Sequence, residues 1–170
     1  MAKTESVRIA LTCADGALVV MTFVTAEYRS DGAARWMRLP TRAAVDAEIA
    51  RAATTFDPGK TPIQGWRFIE EADLPADRSY RNAWRDRNGR IEHDMPHARN
   101  LHRDLLREAR APRLAALDEA YLRADEAGEV TAKQRIAARK QRFRDAPSDP
   151  RIEAAQTPEA LKLITLPEDA

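Results

Sequence analysis

Between Ala76 and Met95 the run ADRSYRNAWRDRNGRIEHDM sets Tyr80 and Trp84 among Arg78, Arg81, Arg85, Arg87 and Arg90. Aromatic rings interleaved with guanidinium groups suit three kinds of work. They can stack unpaired bases while the arginines hold phosphates. They can line a catalytic site, or they can bury in protein while the charges tie neighbouring segments together. Asp77, Asp86, Glu92 and Asp94 punctuate the run, which dilutes a phosphate-binding field and favours ion pairing. A second basic stretch, Lys133 to Arg144 (KQRIAARKQRFR), needs Ile136 and Phe143 for packing, so its arginines read as a solvated helix face. With Lys+Arg 28 against Asp+Glu 27, the net charge of +1 lacks the basic excess of a dedicated nucleic-acid binder. Nucleic acid is therefore a disfavoured partner.

His93, His97 and His102 are the only histidines, and they stand beside Asp94 and Asp104. His97 and His102 are five apart, about 140° around a helix, and His93 precedes the helix start, so the three do not converge on a metal. They read as polar helix-face residues. Cys13 is the single cysteine; it excludes an internal disulfide and a cysteine zinc site, and no base lies near it in sequence. There is no G-x-S-x-G, no H-E-x-x-H and no glycine-rich phosphate loop in a chain of six glycines. Glu70-Glu71 and Asp118-Glu119 read as solvated acids. The expectation is a non-enzymatic protein with no catalytic residue, no metal and no cofactor.

The elements that must carry these residues divide at about residue 74. Val7, Ile9 and Leu11 alternate with Ser6, Arg8 and Ala10, then Asp15-Gly16 turns the chain into the apolar run ALVVMTFVT. Asp31-Gly32 marks a second turn, and ARWMRL a third, shorter strand. Thr41 after Pro40 caps a helix carrying Val45, Ile49, Ala52 and Phe56. Asp57 to Pro62 breaks it, and GWRFIEEA returns as a strand with Trp66, Phe68 and Ile69. Residues 1–74 thus predict a small α+β domain, a sheet with one covering helix.

Residues 75–94 predict a junction. Asp77 caps a short helical turn bearing Tyr80 and Trp84, and Asn88-Gly89 is the strongest hairpin signal in the chain. Residues 95–170 predict a long helical hairpin arm followed by short helices. Asp94 caps the first helix, and Pro96 sits in its first turn. Leu101, Leu105, Ala109, Leu114, Leu117 and Tyr121 form its apolar stripe, Pro112 kinks it, and Gly128 ends it. The second helix turns Val130, Ile136, Ala137, Lys140 and Phe143 inward. SDPRIEAA and QTPEALKLI each pair an N-cap with a first-turn proline. The N-terminus lacks the apolar core of a secretion signal, and ALVVM is too short to span a bilayer, so a soluble protein starting in the cytoplasm is expected.

LPADRSYRNAWRD, followed by the helical hairpin, IAARKQRFRDAP and DPRIEAAQTPEALK, resembles proteins encoded among the virion and tail genes of tailed bacteriophages and prophages. The shared pattern is an L-P-x-D-R-x-x-R-N-A-W box, then a hairpin ending in R-D and D-P-x-I. The hairpin is also loosely similar to phage tail (fibre) assembly chaperones, although the W-P ending common among those is replaced by LITLPEDA. The resemblance covers about residues 73–167. It carries over Leu74, Pro75, Asp77, Arg78, Arg81, Asn82, Ala83 and Trp84, with no catalytic role. It implies contacts with other tail or head–tail proteins, or a homo-oligomer, in the virion or in the host cytoplasm during assembly. In that setting the box is expected to be a clasp. Tyr80 and Trp84 would pack on one surface at the junction, Asp77, Arg78 and Arg81 would tie it, and Arg85, Arg87 and Arg90 would point to solvent.

Overall fold

The computed structural model describes residues 4–28, 34–37, 42–55 and 62–168. Two compact units emerge, Met1–Ala76 with Trp84–Glu92, and Asp77–Ala83 with His93–Ala170. The class is α+β, as the patterning implied: a small N-terminal antiparallel sheet, then long and short helices. The stretch 75–94 is divided between the two units. Its β-ribbon belongs to the sheet unit and its residues 77–83 to the helical unit.

In the sheet unit, β1 (Thr4–Cys13) pairs antiparallel with β2 (Leu18–Tyr28) and with β4 (Ile63–Ile69), while β3 (Ala34–Met37) pairs with β2. The sheet order is β3-β2-β1-β4. Gly16, at φ +77, closes the first hairpin where a side chain would be strained, and Asp15 Oδ1 accepts the Ala17 N–H at 2.8 Å. Each face of the sheet carries its own hydrophobic cluster. Ile9 and Leu11 pack with Val45 of α1 (Arg42–Thr55), joined by Met21, Ile49, Ile63 and Trp66. Ala10, Leu18 and Ile69, on the other face, pack with Trp84 and Ile91, joined by Val20 and Leu74. The turn at Asp31-Gly32, the cap at Thr41 and the positions of Phe56 and most of the break after it lie outside the described residues.

The ribbon is β5 (Trp84–Arg87) and β6 (Arg90–His93). Asn88 (φ +56) and Gly89 (φ +84) both take left-handed conformations, the two-residue turn that the Asn-Gly pair predicts. Arg67 fastens the ribbon to the sheet: its Nε lies 2.6 Å from Asp86 Oδ2, and its Nη2 donates to the Gly89 carbonyl at 2.8 Å.

In the helical unit, α2 (Met95–Glu126) runs unbroken through Pro112 for 32 residues, with Asp94 at its N-cap. It ends in a Schellman motif: Gly128 (φ +70) donates to the Asp125 carbonyl at 3.0 Å and Glu129 to that of Ala124 at 2.8 Å. α3 (Val130–Asp145) folds back on α2, and α4 (Pro150–Ala154) and α5 (Pro158–Lys162) follow. Asp149 and Thr157 cap these last two through the amides of Arg151 and Ala160, as expected. The main core joins Ala83, Ala98, Leu106, Ile152, Ala155, Leu161 and Ile164.

Two features of this unit depart from the periodicity. The buried stripe of α2 is Ala98, His102, Leu106, Leu117 and Ala124, whereas Leu105 and Ala109 are exposed. On α3 only Phe143 is fully buried; Ile136 and Lys140 are half-buried, and Val130 and Ala137 face solvent. Val130 opens the helix, and Ala137 lies about 120° off the Phe143 direction.

Several arginines of α2 serve as caps for other helices. Arg99 donates from Nε and Nη2 to the Ala155 carbonyl at 3.1 and 2.9 Å, beyond the end of α4. Arg110 donates to the Arg144 carbonyl at 2.6 Å, near the end of α3. Cations at helix C-termini satisfy orphan carbonyls and complement the dipole. Their partners are distant in sequence, so spacing could not reveal them.

Candidate functional site

The box residues divide between the two units. Trp84, only 4% exposed, sits in the sheet unit with Ile91 and Ile69, and Leu74 packs against the same cluster. Tyr80 and Ala83 pack in the helical unit. The expected shared surface for Tyr80 and Trp84 is thus corrected. Tyr80 takes φ +53, which stops a helical turn from running through it; a tight turn at Arg81–Ala83 follows, and Trp84 starts β5. Side chains four apart meet only on a continuous helix. Asp77 accepts the Ser79 N–H at 2.8 Å and pairs with Lys162 at 2.5 Å, within the helical unit. Pro75 is half-buried, whereas Arg78, Arg81 and Asn82 are exposed. Arg85 was expected in solvent, but it is half-buried, its Nη1 on the Trp84 carbonyl at 3.0 Å and its stem 3.6 Å from where a Cβ on Gly16 would stand.

What the box does border is a groove on the helical unit. Two open depressions, about 690 and 520 Å³, meet at Tyr80 and Leu105. Leu101, Leu105 and Ala109, successive turns of α2, form the floor. Arg78, Arg81 and Asn82 line one depression; Ile164, Leu166 and Pro167 line the other. Leu105 is 53% exposed at the meeting point. Leu117 is buried as expected, whereas Leu105 and Ala109, which periodicity also assigned to the core, are exposed on the floor of a surface groove.

His102 replaces them inside, at 6% exposure. Its Nε2–H donates to the Ile164 carbonyl at 2.9 Å, so Nδ1 is the acceptor for the Tyr80 hydroxyl at 2.8 Å. Both ring nitrogens are committed, and the imidazole offers neither base nor proton to the groove. Burial pushes the His102 pKa down against the upward pull of its hydrogen bond to the Ile164 carbonyl, with a nearby Arg103 adding to the lowering; burial and Asp77 push the Tyr80 phenol up. The pair is a neutral strut that fastens the segment after α5 to α2. His93 points elsewhere, donating to the Ser79 carbonyl at 3.0 Å. The earlier reading of polar helix-face histidines fails for His102; its signal in the sequence was position, four residues from both Ala98 and Leu106.

This strut gives the unit an acid sensitivity. The folded-state pKa of His102 lies below the unfolded value of ~6.5. The unfolded chain therefore binds the proton first, and stability present above pH ~6.5 is lost as pH falls toward the folded pKa. Unfolding midpoints of the helical unit should decline between pH 7 and 5, and His102→Gln should flatten that slope. A wild-type midpoint constant across the interval would refute the strut's neutrality.

Both lysines of α3 are also engaged. Lys140 pairs with Asp118 and lies 5.0 Å over the Tyr121 ring; Lys133 pairs with Asp125 and lies 5.6 Å over the same ring. Among the described residues no helix is long and apolar enough to cross a membrane. No known protein family, curated protein or solved structure matches the chain.

Proposed function

We propose that this chain is a non-enzymatic structural or assembly protein of the tail or neck region of a bacteriophage, acting through contacts with other tail or head–tail proteins. The observation that carries this reading is the apolar groove along α2, because the box that resembles phage tail-gene products supplies one of its walls. A groove with a leucine floor and charged rims is the form in which an amphipathic segment is received. A transient tail (fibre) assembly chaperone is the close alternative within the same setting.

A nucleic-acid accessory role has less support. Lys133 and Lys140 are neutralised by acids of α2, and Trp84 is buried rather than available for stacking. That reading would require affinity that falls steeply with salt.

Mass spectrometry of purified phage particles and of tail assembly intermediates tests the proposal. Stoichiometric presence in particles is the expected result. Presence in intermediates alone selects the chaperone, and absence from both sinks the proposal. Leu105→Asp should abolish incorporation while leaving the unfolding free energy within ~0.5 kcal/mol, as for an exposed position.

A further inference from the structure

The tip of the β5–β6 ribbon holds the chain's one Asn-Gly pair, Asn88-Gly89, with both residues exposed. We infer that Asn88 is a site of spontaneous succinimide formation whose rate is governed by Asp86. In this reaction the Gly89 amide nitrogen attacks Asn88 Cγ. The new N–C bond forms as the bond to the side-chain nitrogen breaks, and ammonia leaves carrying the proton from the Gly89 amide. Water then opens the imide at either carbonyl, giving aspartate or isoaspartate. Water is the only co-reactant.

Access favours the step. Nothing lies within 4 Å of where a Cβ on Gly89 would stand, so the turn is open on that side. Arg87 and Arg90 flank the turn and are exposed, and their charge favours loss of the amide proton. Asp86 opposes it. Its Oδ1 accepts the Gly89 N–H at 2.9 Å, while its Oδ2 is fixed 2.6 Å from Arg67 Nε. Arg67 also holds the Gly89 carbonyl at 2.8 Å. Both backbone groups of Gly89 are thereby tethered to one ion pair, and the nitrogen must leave its acceptor before it can reach Asn88.

The consequence falls on the ribbon. Isoaspartate adds a backbone methylene to a two-residue turn and a carboxylate to its tip, so the turn geometry that sets the strand register is lost. The strands it joins carry Trp84 and Ile91 into the sheet unit's core. Asp86 therefore sets the rate at which the unit ages.

Timed incubation of the full chain at mildly alkaline pH, followed by peptide mapping, tests this, with Asn82 and Asn100 as internal references. Asp86→Ala removes the acceptor; Asp86→Asn loses the charge but keeps an oxygen that can accept the Gly89 N–H. Expected is conversion of Asn88 ahead of Asn82 and Asn100, several-fold faster in D86A than in wild type or D86N. Equal rates in wild type and D86A overturn the inference. Equal acceleration in D86N and D86A also overturns it, because loosening of the ribbon would then suffice. If D86A does not fold, wild type decides: unfolding in guanidinium must speed Asn88 conversion several-fold, and an unchanged rate overturns the proposal.

Discussion

Trp84→Ala lowers the unfolding free energy of the sheet unit by about 3–5 kcal/mol, the range for truncating a buried large aromatic. The indole is 4% exposed and packs with Ala10, Leu18, Ile69 and Ile91, so its removal leaves a cavity bounded by three strands of the sheet and the facing strand of the ribbon. All four neighbours come from β-strands, and the three in the sheet are held by ladder hydrogen bonds; such surroundings collapse poorly around a void. Arg87→Ala and Arg90→Ala, at the exposed tip, change stability by well under about 1 kcal/mol. Denaturant unfolding of the three variants checks the ordering. A single-strand-binding platform requires the reverse: an exposed tryptophan whose loss weakens binding and spares the fold. An unchanged midpoint for Trp84→Ala would place the ring on the surface and return the box to that role.

How much of this was legible depended on distance along the chain. The Asn88-Gly89 turn, the Gly128 helix end and the caps at Asp149 and Thr157 are decided by a residue's own backbone preferences and by partners within a few positions. The sequence shows them directly. The α+β division was also legible, because period-2 and period-3.6 patterns occupy different parts of the chain. The α2 stripe was not. Leucine outranks histidine as a core residue in any periodicity count, yet His102 is buried because Tyr80 and Ile164, 22 and 62 residues away, satisfy both its nitrogens. That shift of one position put Leu105 and Ala109, expected in the core, on an exposed groove floor, while Leu101 still packs against the core. The box was misread for a related reason. Helical spacing makes Tyr80 and Trp84 neighbours, and one left-handed residue separates them into two cores. Arg99 and Arg110 looked like solvated charge because nothing local tells which helix ends will come to rest beside them.

Phe143→Ala should release α3 from α2. Phe143 is 1% exposed and is the one fully buried residue of the 16-residue helix, so the apolar hold on α3 is concentrated in a single ring. A helix of that length is marginal by itself in water, and beyond the half-buried Ile136 its holds include several polar contacts. Lys140 with Asp118 and the Tyr121 ring, and Arg110 on the carbonyls of Phe143 and Arg144, align the helix. Partly exposed ion pairs contribute roughly 0–1 kcal/mol each, against about 3–5 kcal/mol for truncating a buried phenylalanine. The ring therefore outweighs them. Its loss should remove hydrogen-exchange protection along Val130–Asp145 while β1 and β4 keep theirs. Lys140→Gln, by contrast, should leave the protection of α3 nearly intact. Equal loss of protection in both variants would assign the hold to the charges, and full protection in Phe143→Ala would mean that α3 is anchored through residues other than its one buried side chain.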